Sequence, residues 1–166
     1  MCSVAPLPPL PLIRLPRPPV MKSLPALLLL LAACHSPSPT FHPSPDPALA
    51  TLPFSEAVTA HGFLFLSGQI AITPGTLDVV PGGIEAETNQ VLDQIESILA
   101  RHGCTLHDVV KATVFLADMS DWPKFNELYR QRFHHDFPAR SALGAAALAR
   151  GARVELEVIA ALPTAR

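Results

Sequence analysis

The feature that most constrains this chain is a boundary near residue 53. Of its 19 prolines, 14 fall in residues 1–53, whereas all 8 glycines fall after residue 61. Proline lacks an amide donor and clashes with the preceding helical turn, so the N-terminal stretch cannot supply long helices or central strands. The fold must come from the following ~115 residues, an ordinary size for one domain. Charge divides at nearly the same place. Three of the 12 basic residues (Arg14, Arg17 and Lys22) precede Asp46, and all 14 acidic residues lie at or beyond it. The chain after residue 33 thus carries nine basic against fourteen acidic residues, net −5. Such a body is ill suited to phosphate backbones, which need clustered cations, and argues against nucleic acid as a partner and against ribonuclease action.

Residues 1–20 admit two readings: a polyproline II arm that docks on a partner, or sequence ahead of a start at Met21. From Met21 the pattern is that of a targeting segment. Lys22 gives a positive start, and Leu24 to Ala33 is an apolar run of ten residues, well short of the ~20 that span a bilayer. The run ends in Leu31-Ala32-Ala33-Cys34, which resembles the lipobox of bacterial lipoprotein signals. By that resemblance residues 1–33 are a leader and Cys34 is the lipidated first residue of a protein anchored in the cell envelope or periplasm. An ordinary secretory signal with Cys34 incidental, and a cytoplasmic protein in which the leader is unused, are the other readings. Residues 34–52 read as a Ser/Pro-rich tether and 53–163 as the folded domain.

In the body Cys104 is the lone thiol, so no disulfide framework forms there. His134 and His135 are adjacent and point about 100° apart on a helix, so they do not chelate together. No metal is expected, and His61, His102, His107 and the His134-His135 pair read as surface residues.

The body alternates strand and helix signals. His61-Gly62 is a turn before the aromatic and aliphatic run Phe63 to Ile70, a strand with a hairpin neighbour. Thr73-Pro74-Gly75 and Pro81-Gly82-Gly83 bound a loop. Ile84, Val91, Leu92, Ile95, Ile98 and Leu99 recur at helical spacing, with Glu85 and Glu87 in the first turn, Arg101 and His102 in the last and Gly103 as the stop. Val109 to Leu116 is a β-branched strand. Asp121 is placed to cap a second helix that turns Trp122, Phe125, Leu128, Tyr129 and Phe133 inward and ends before Pro138. Ser141 to Ala147 and Ala152 to Leu162 are the last strands. The order β-β-α-β-α-β-β implies an α+β two-layer sandwich, a mixed sheet covered on one face by two helices. A body of this size has no third layer for the other face, so self-association is expected to cover it.

Six segments in register carry a resemblance over residues 52–162: Pro53-Phe54-Ser55-Glu56-Ala57, Leu66-Ser67-Gly68-Gln69-Ile70, Asp108 to Leu116, Phe125-Asn126-Glu127-Leu128-Tyr129, Pro138-Ala139-Arg140-Ser141 and Val154 to Ala160. Together they resemble the Rid (YjgF/YER057c/UK114) family. The resemblance implies a chorismate-mutase-like fold, a homotrimer with a site in each inter-subunit cleft, and hydrolysis of reactive 2-imino or enamine acids to 2-keto acids and ammonia without a cofactor. Arg140 and Glu155 match the catalytic positions. The guanidinium fork suits a substrate carboxylate, and the Glu155 carboxyl suits positioning water and moving protons. Imines hydrolyse readily, so positioning and proton transfer suffice.

Phe54, Ser67, Gly68, Asn126 and Ala142 match positions that contact substrate or shape the cleft, and Gln69 shapes its wall beside Ser67 and Gly68. Ala142 acts through its backbone, and Glu157 reads as structural. Two departures stand out. Phe54 replaces the family's tyrosine and loses a hydroxyl, and Ala142 stands where cysteine is common. The competing expectation is a module of the same fold in the cell envelope that binds an organic acid without turnover.

Overall fold

The computed structural model describes residues 38–134 and 136–163. The leader, with Cys34, lies outside them. The elements in chain order are β1 (Thr40–His42), α1 (Pro47–Ala50), β2 (Ala57–Ala60), β3 (Phe63–Leu66), β4 (Gln69–Ile70), α2 (Gly83–Arg101), β5 (Val109–Leu116), α3 (Trp122–Arg132), β6 (Ala139–Gly144) and β7 (Val154–Ala161).

The strands form one mixed sheet in the order β1-β2-β3-β7-β5-β6, with β4 also paired to β7. Every pair is antiparallel except β5 with β6. A parallel pair needs a crossover, and α3 provides it. His61 and Gly62, at φ 48° and 80°, close β2 on β3 in the left-handed two-residue turn that matches strand twist. β7 alternates strictly, burying Val154, Leu156, Val158 and Ala160 beneath the helices and turning Glu155 and Glu157 to the other face.

The long helix α2 forms as its spacing dictates, burying Val91, Leu92, Ile95, Ile98 and Leu99 against the sheet. Gly103 takes φ 72° just past its end, where a side chain would be strained. Arg132 of α3 reaches Asp93 at 2.7 Å and Glu96 at 3.0 Å on α2, tying the helices side by side. Neither α2 nor α3 covers the opposite face. Phe63 and Phe65 are each 40% exposed there.

Four expectations are corrected. The segment read as a tether is ordered where it is described. β1 pairs with β2, and Asp46 caps α1 by accepting from Ala48 N at 2.9 Å, with Pro47 opening the helix. Asp46 also accepts from Gly75 N at 2.7 Å, which fastens the segment to the 73–76 turn, and these two amide donors lower its pKa. Glu87 is no solvated dipole partner of α2. It is buried and accepts from the Arg153 backbone N at 2.7 Å, holding the entry of β7. Asp121 stands at the N-cap of α3 without bonding its amides, because its carboxylate is taken by Arg153 at 2.7 Å. Asp118 caps the turn before it instead, accepting from Ser120 N at 2.8 Å. His102, expected at the surface, is half-buried with its ring 4.5 Å from that of His42, and burial lowers its pKa first, then His42 and Arg101. Smaller shifts occur at β6, which begins at Ala139 and stops at Gly144. Arg140 is therefore inside the strand rather than before it.

Candidate active site

Two sheet features build the cleft. First, the run from Phe63 to Ile70 is broken. Phe65 pairs with Ile159 and Gln69 with Leu156, so four steps on one strand face three on β7. The surplus residue is accommodated at Ser67-Gly68 as a bulge. Ser67 anchors it, donating from its backbone N to Glu56 O at 3.0 Å and from Oγ to Ser55 O at 2.6 Å, while Gln69 Nε2 donates to Ser67 O at 3.0 Å. Second, Glu155 sits directly under the bulge. A Cβ added to Gly68 would overlap Glu155 Oε1, so only glycine lets this backbone lie against that carboxyl.

The result is a cavity of about 340 Å³ whose wall includes Phe54, Ser67, Gly68, Arg150 and Glu155. Burial, and secondarily the like charge of Glu157, push the Glu155 pKa above the usual carboxylate range. A carboxyl so placed takes and returns protons closer to neutral pH than an exposed one. Phe54 presents an apolar edge, 48% exposed.

Arg140 lies elsewhere in the chain. In register it pairs with Ala112, a buried residue of the helix face, and its guanidinium rests over α3, 4.5 Å from the Tyr129 ring centroid and 4.9 Å from that of Trp122. Arg140 Nη2 donates to Asn126 Oδ1 at 2.8 Å. Asn126, Tyr129, Phe137, Pro138 and Arg140 share a second, shallower depression. Burial pushes the Tyr129 hydroxyl up to about 12 despite the nearby guanidinium, so it stays neutral beneath the cation. Ala142 is exposed on β6, two residues along the strand that ends the sheet.

The residues singled out from sequence thus separate into two sets. Phe54, Ser67, Gly68 and Glu155 converge on one face, and Arg140 and Asn126 on the other, with Ala142 on the edge strand. Within one chain Arg140 and Glu155 line different cavities. Sequence reasoning missed Leu49 and Leu52, which wall the cleft from the presumed tether, although Asp46-Pro47 is a recognisable helix start. It also missed Ser44 and the buried Glu56, which accepts from Ser44 Oγ at 3.1 Å and from Arg101, and Arg150, for which nothing local signals a role.

A mixed sheet under two helices, bulged over a half-buried carboxyl, defines a small α+β domain with a cleft that sets a protonatable group against backbone. Residues 46–162 match the family model described as Endoribonuclease L-PSP. The chain is 45% identical over 108 residues to the 2-iminobutanoate/2-iminopropanoate deaminase of Bos taurus, covering 65% of this chain and 79% of that one. Among solved structures it is similar to yeast YEO7, with TM-score 0.71 and 35% identity over 76% of this chain and 100% of that one. It is likewise similar to the Rid-family protein YyfA of Yersinia pestis, with TM-score 0.70 and 38% identity over 75% and 99%. The chain belongs to the Rid (YjgF/YER057c/UK114) family, the one its six segments resemble.

Proposed function

We propose that this protein hydrolyses 2-imino or enamine acids to 2-keto acids and ammonia, in a cleft that a second copy of the chain completes. The observation that carries the reading is the Glu155 carboxyl, half-buried, raised in pKa and set against the Gly68 backbone in a chain 45% identical to a deaminase of that name. Arg140 supports it. A guanidinium already stacked on Trp122 and Tyr129 and bonded to Asn126 loses little freedom on gripping a carboxylate. It lies on the edge strand, where a neighbouring copy can meet it, and a homotrimer of the kind typical of the family would bring it to the partner's Glu155 cleft.

The chemistry follows from those groups. The guanidinium holds the carboxylate of the imino acid and withdraws charge from C2. Glu155 orients water and accepts one of its protons as oxygen bonds to C2, passing that proton to nitrogen to give the carbinolamine. It then takes the hydroxyl proton and delivers it to nitrogen as the C2–O double bond forms, the C2–N bond breaks and ammonia leaves. A charge of −5 after residue 33 leaves the reading as a ribonuclease without an electrostatic basis.

The test uses 2-iminopropanoate made in situ from L-alanine by an amino-acid oxidase. Wild type accelerates imine loss above the uncatalysed rate, and Arg140→Ala cuts that excess by about 10²-fold. Equal rates with and without wild-type protein would overturn the reading, and saturable keto-acid binding without acceleration would mark a binding module instead.

A further inference from the structure

The cleft under Gly68 contains a cation that the proposed reaction does not use. Arg150 lines the same cavity as Glu155, and it is the one basic residue among those on the wall. Among the described residues most other cations of the body are committed. Arg101 pairs with Glu56, Lys124 with Glu85 and Glu127, Arg132 with Asp93 and Glu96, and Arg153 with Asp121, while Arg140 is held by Asn126 and two rings. Arg150 has no hydrogen-bond or ion-pair partner there. Its backbone is also unusual. Arg150 adopts φ 59°, ψ 15°, a left-handed conformation that glycine or asparagine would hold at lower cost, and Gly151 follows at φ 71°. The strained turn sets an exposed, always-ionised fork on the rim of a cleft whose wall is apolar at Leu49, Leu52, Ile70, Ile72 and Leu77 and polar at Ser44, Gln69 and Glu56, the last already paired with Arg101.

We infer that Arg150 is a specificity-determining residue that grips a second acid group, so that the preferred substrate is a 2-imino dicarboxylic acid rather than one with a short alkyl side chain. The inference rests on the deaminase reading and refines it. With the C1 carboxylate on the Arg140 that a neighbouring copy brings and C2 beside Glu155, a three- or four-carbon monoacid leaves much of a cavity of about 340 Å³ unfilled and puts a methyl or ethyl group toward a guanidinium. A distal carboxylate on a four- or five-carbon chain fills the space and meets the Arg150 fork in a bidentate charge-assisted pair. The reaction is unaltered. Water oxygen bonds to C2, the C2–N bond breaks and ammonia leaves, with no net oxidation or reduction.

The experiment compares imines generated in situ from L-aspartate and from L-alanine by the matching oxidases, with wild type, Arg150→Asn and Arg150→Lys. Asparagine keeps the left-handed turn and removes the charge. The expected result is a fall of about tenfold or more in the ratio of kcat/KM for the dicarboxylic over the monocarboxylic imine in Arg150→Asn, with partial recovery in Arg150→Lys. An unchanged ratio, whether both activities persist or fall together, would overturn the assignment. A second arm separates this from the parent reading. Thermal melts with 2-oxoglutarate and with pyruvate report binding alone. If wild type hydrolyses neither imine, yet 2-oxoglutarate raises its Tm and not that of Arg150→Asn, the deaminase reading fails and the acid-gripping role stands. Equal stabilisation of both proteins by both keto acids would sink that role.

Discussion

Glu155→Gln is expected to lose about 10²–10⁴-fold of imine hydrolysis, the usual worth of a positioned general acid–base group, and yet to melt higher than wild type at neutral pH. The second half follows from the cause of the pKa shift. Burial first, and Glu157 second, disfavour the charged carboxylate, so the folded protein holds its Glu155 proton to a higher pH than the unfolded chain does. Between the ordinary carboxylate pKa and the raised one, the native state binds more protons than the unfolded state, and stability falls as pH rises through that window. Above it the ionised group imposes a constant cost, which glutamine removes. Thermal melts from pH 4 to 8 should therefore show no gain for the variant at the acid end and a gain that grows toward neutrality. A variant that melts lower at neutral pH would mean that the native contacts of the ionised carboxylate stabilise the fold.

Phe125→Ala is expected to cost about 3–5 kcal/mol, read as a shift in the urea midpoint. Phe125 is fully buried at the centre of the core. Its ring lies 6.1 Å from that of Trp122 and 5.6 Å from that of Tyr129, the two that carry the Arg140 guanidinium. Deleting it opens a void beneath that platform, so turnover should fall beyond what the loss of folded protein explains. A loss of under about 1 kcal/mol would show that α3 closes over the gap.

The two predictions rest on parts of the molecule that were unequally legible in the sequence. α2, β5 and β7 were open to reading because period and burial coincide: Ile95 and Leu99 recur on one helical face, and Val154, Leu156 and Val158 alternate along a strand. Bounds slipped where the deciding partner is distant. β6 is set by pairing with Lys111 to Leu116, which nothing in an alanine-rich run announces. Glu87 and Asp121 each sit where a helix dipole or cap would use them, but both serve Arg153 and its backbone across the fold. Residues 38–52 look like a linker by proline content, and become structure through distant partners: β1 pairs with β2, Ser44 bonds Glu56 and Asp46 finds Gly75 N. The site was legible as a set of residue types and not as an arrangement. Which sheet face Arg140 and Glu155 occupy depends on strand register, and Arg150 acquires meaning only once a folded turn delivers it to the cleft.

The contact between Gly68 and Glu155 sets how this cleft can diversify. The atoms that a new side chain at position 68 would meet are the far end of a flexible carboxylic side chain, not rigid backbone. Substitution there displaces the carboxyl and spares the fold. In a randomised library that position would yield many well-expressed, inert proteins and few active ones besides glycine, so natural or laboratory evolution toward new substrates has to travel through the apolar rim at Phe54 and Leu77 while the glycine stays fixed.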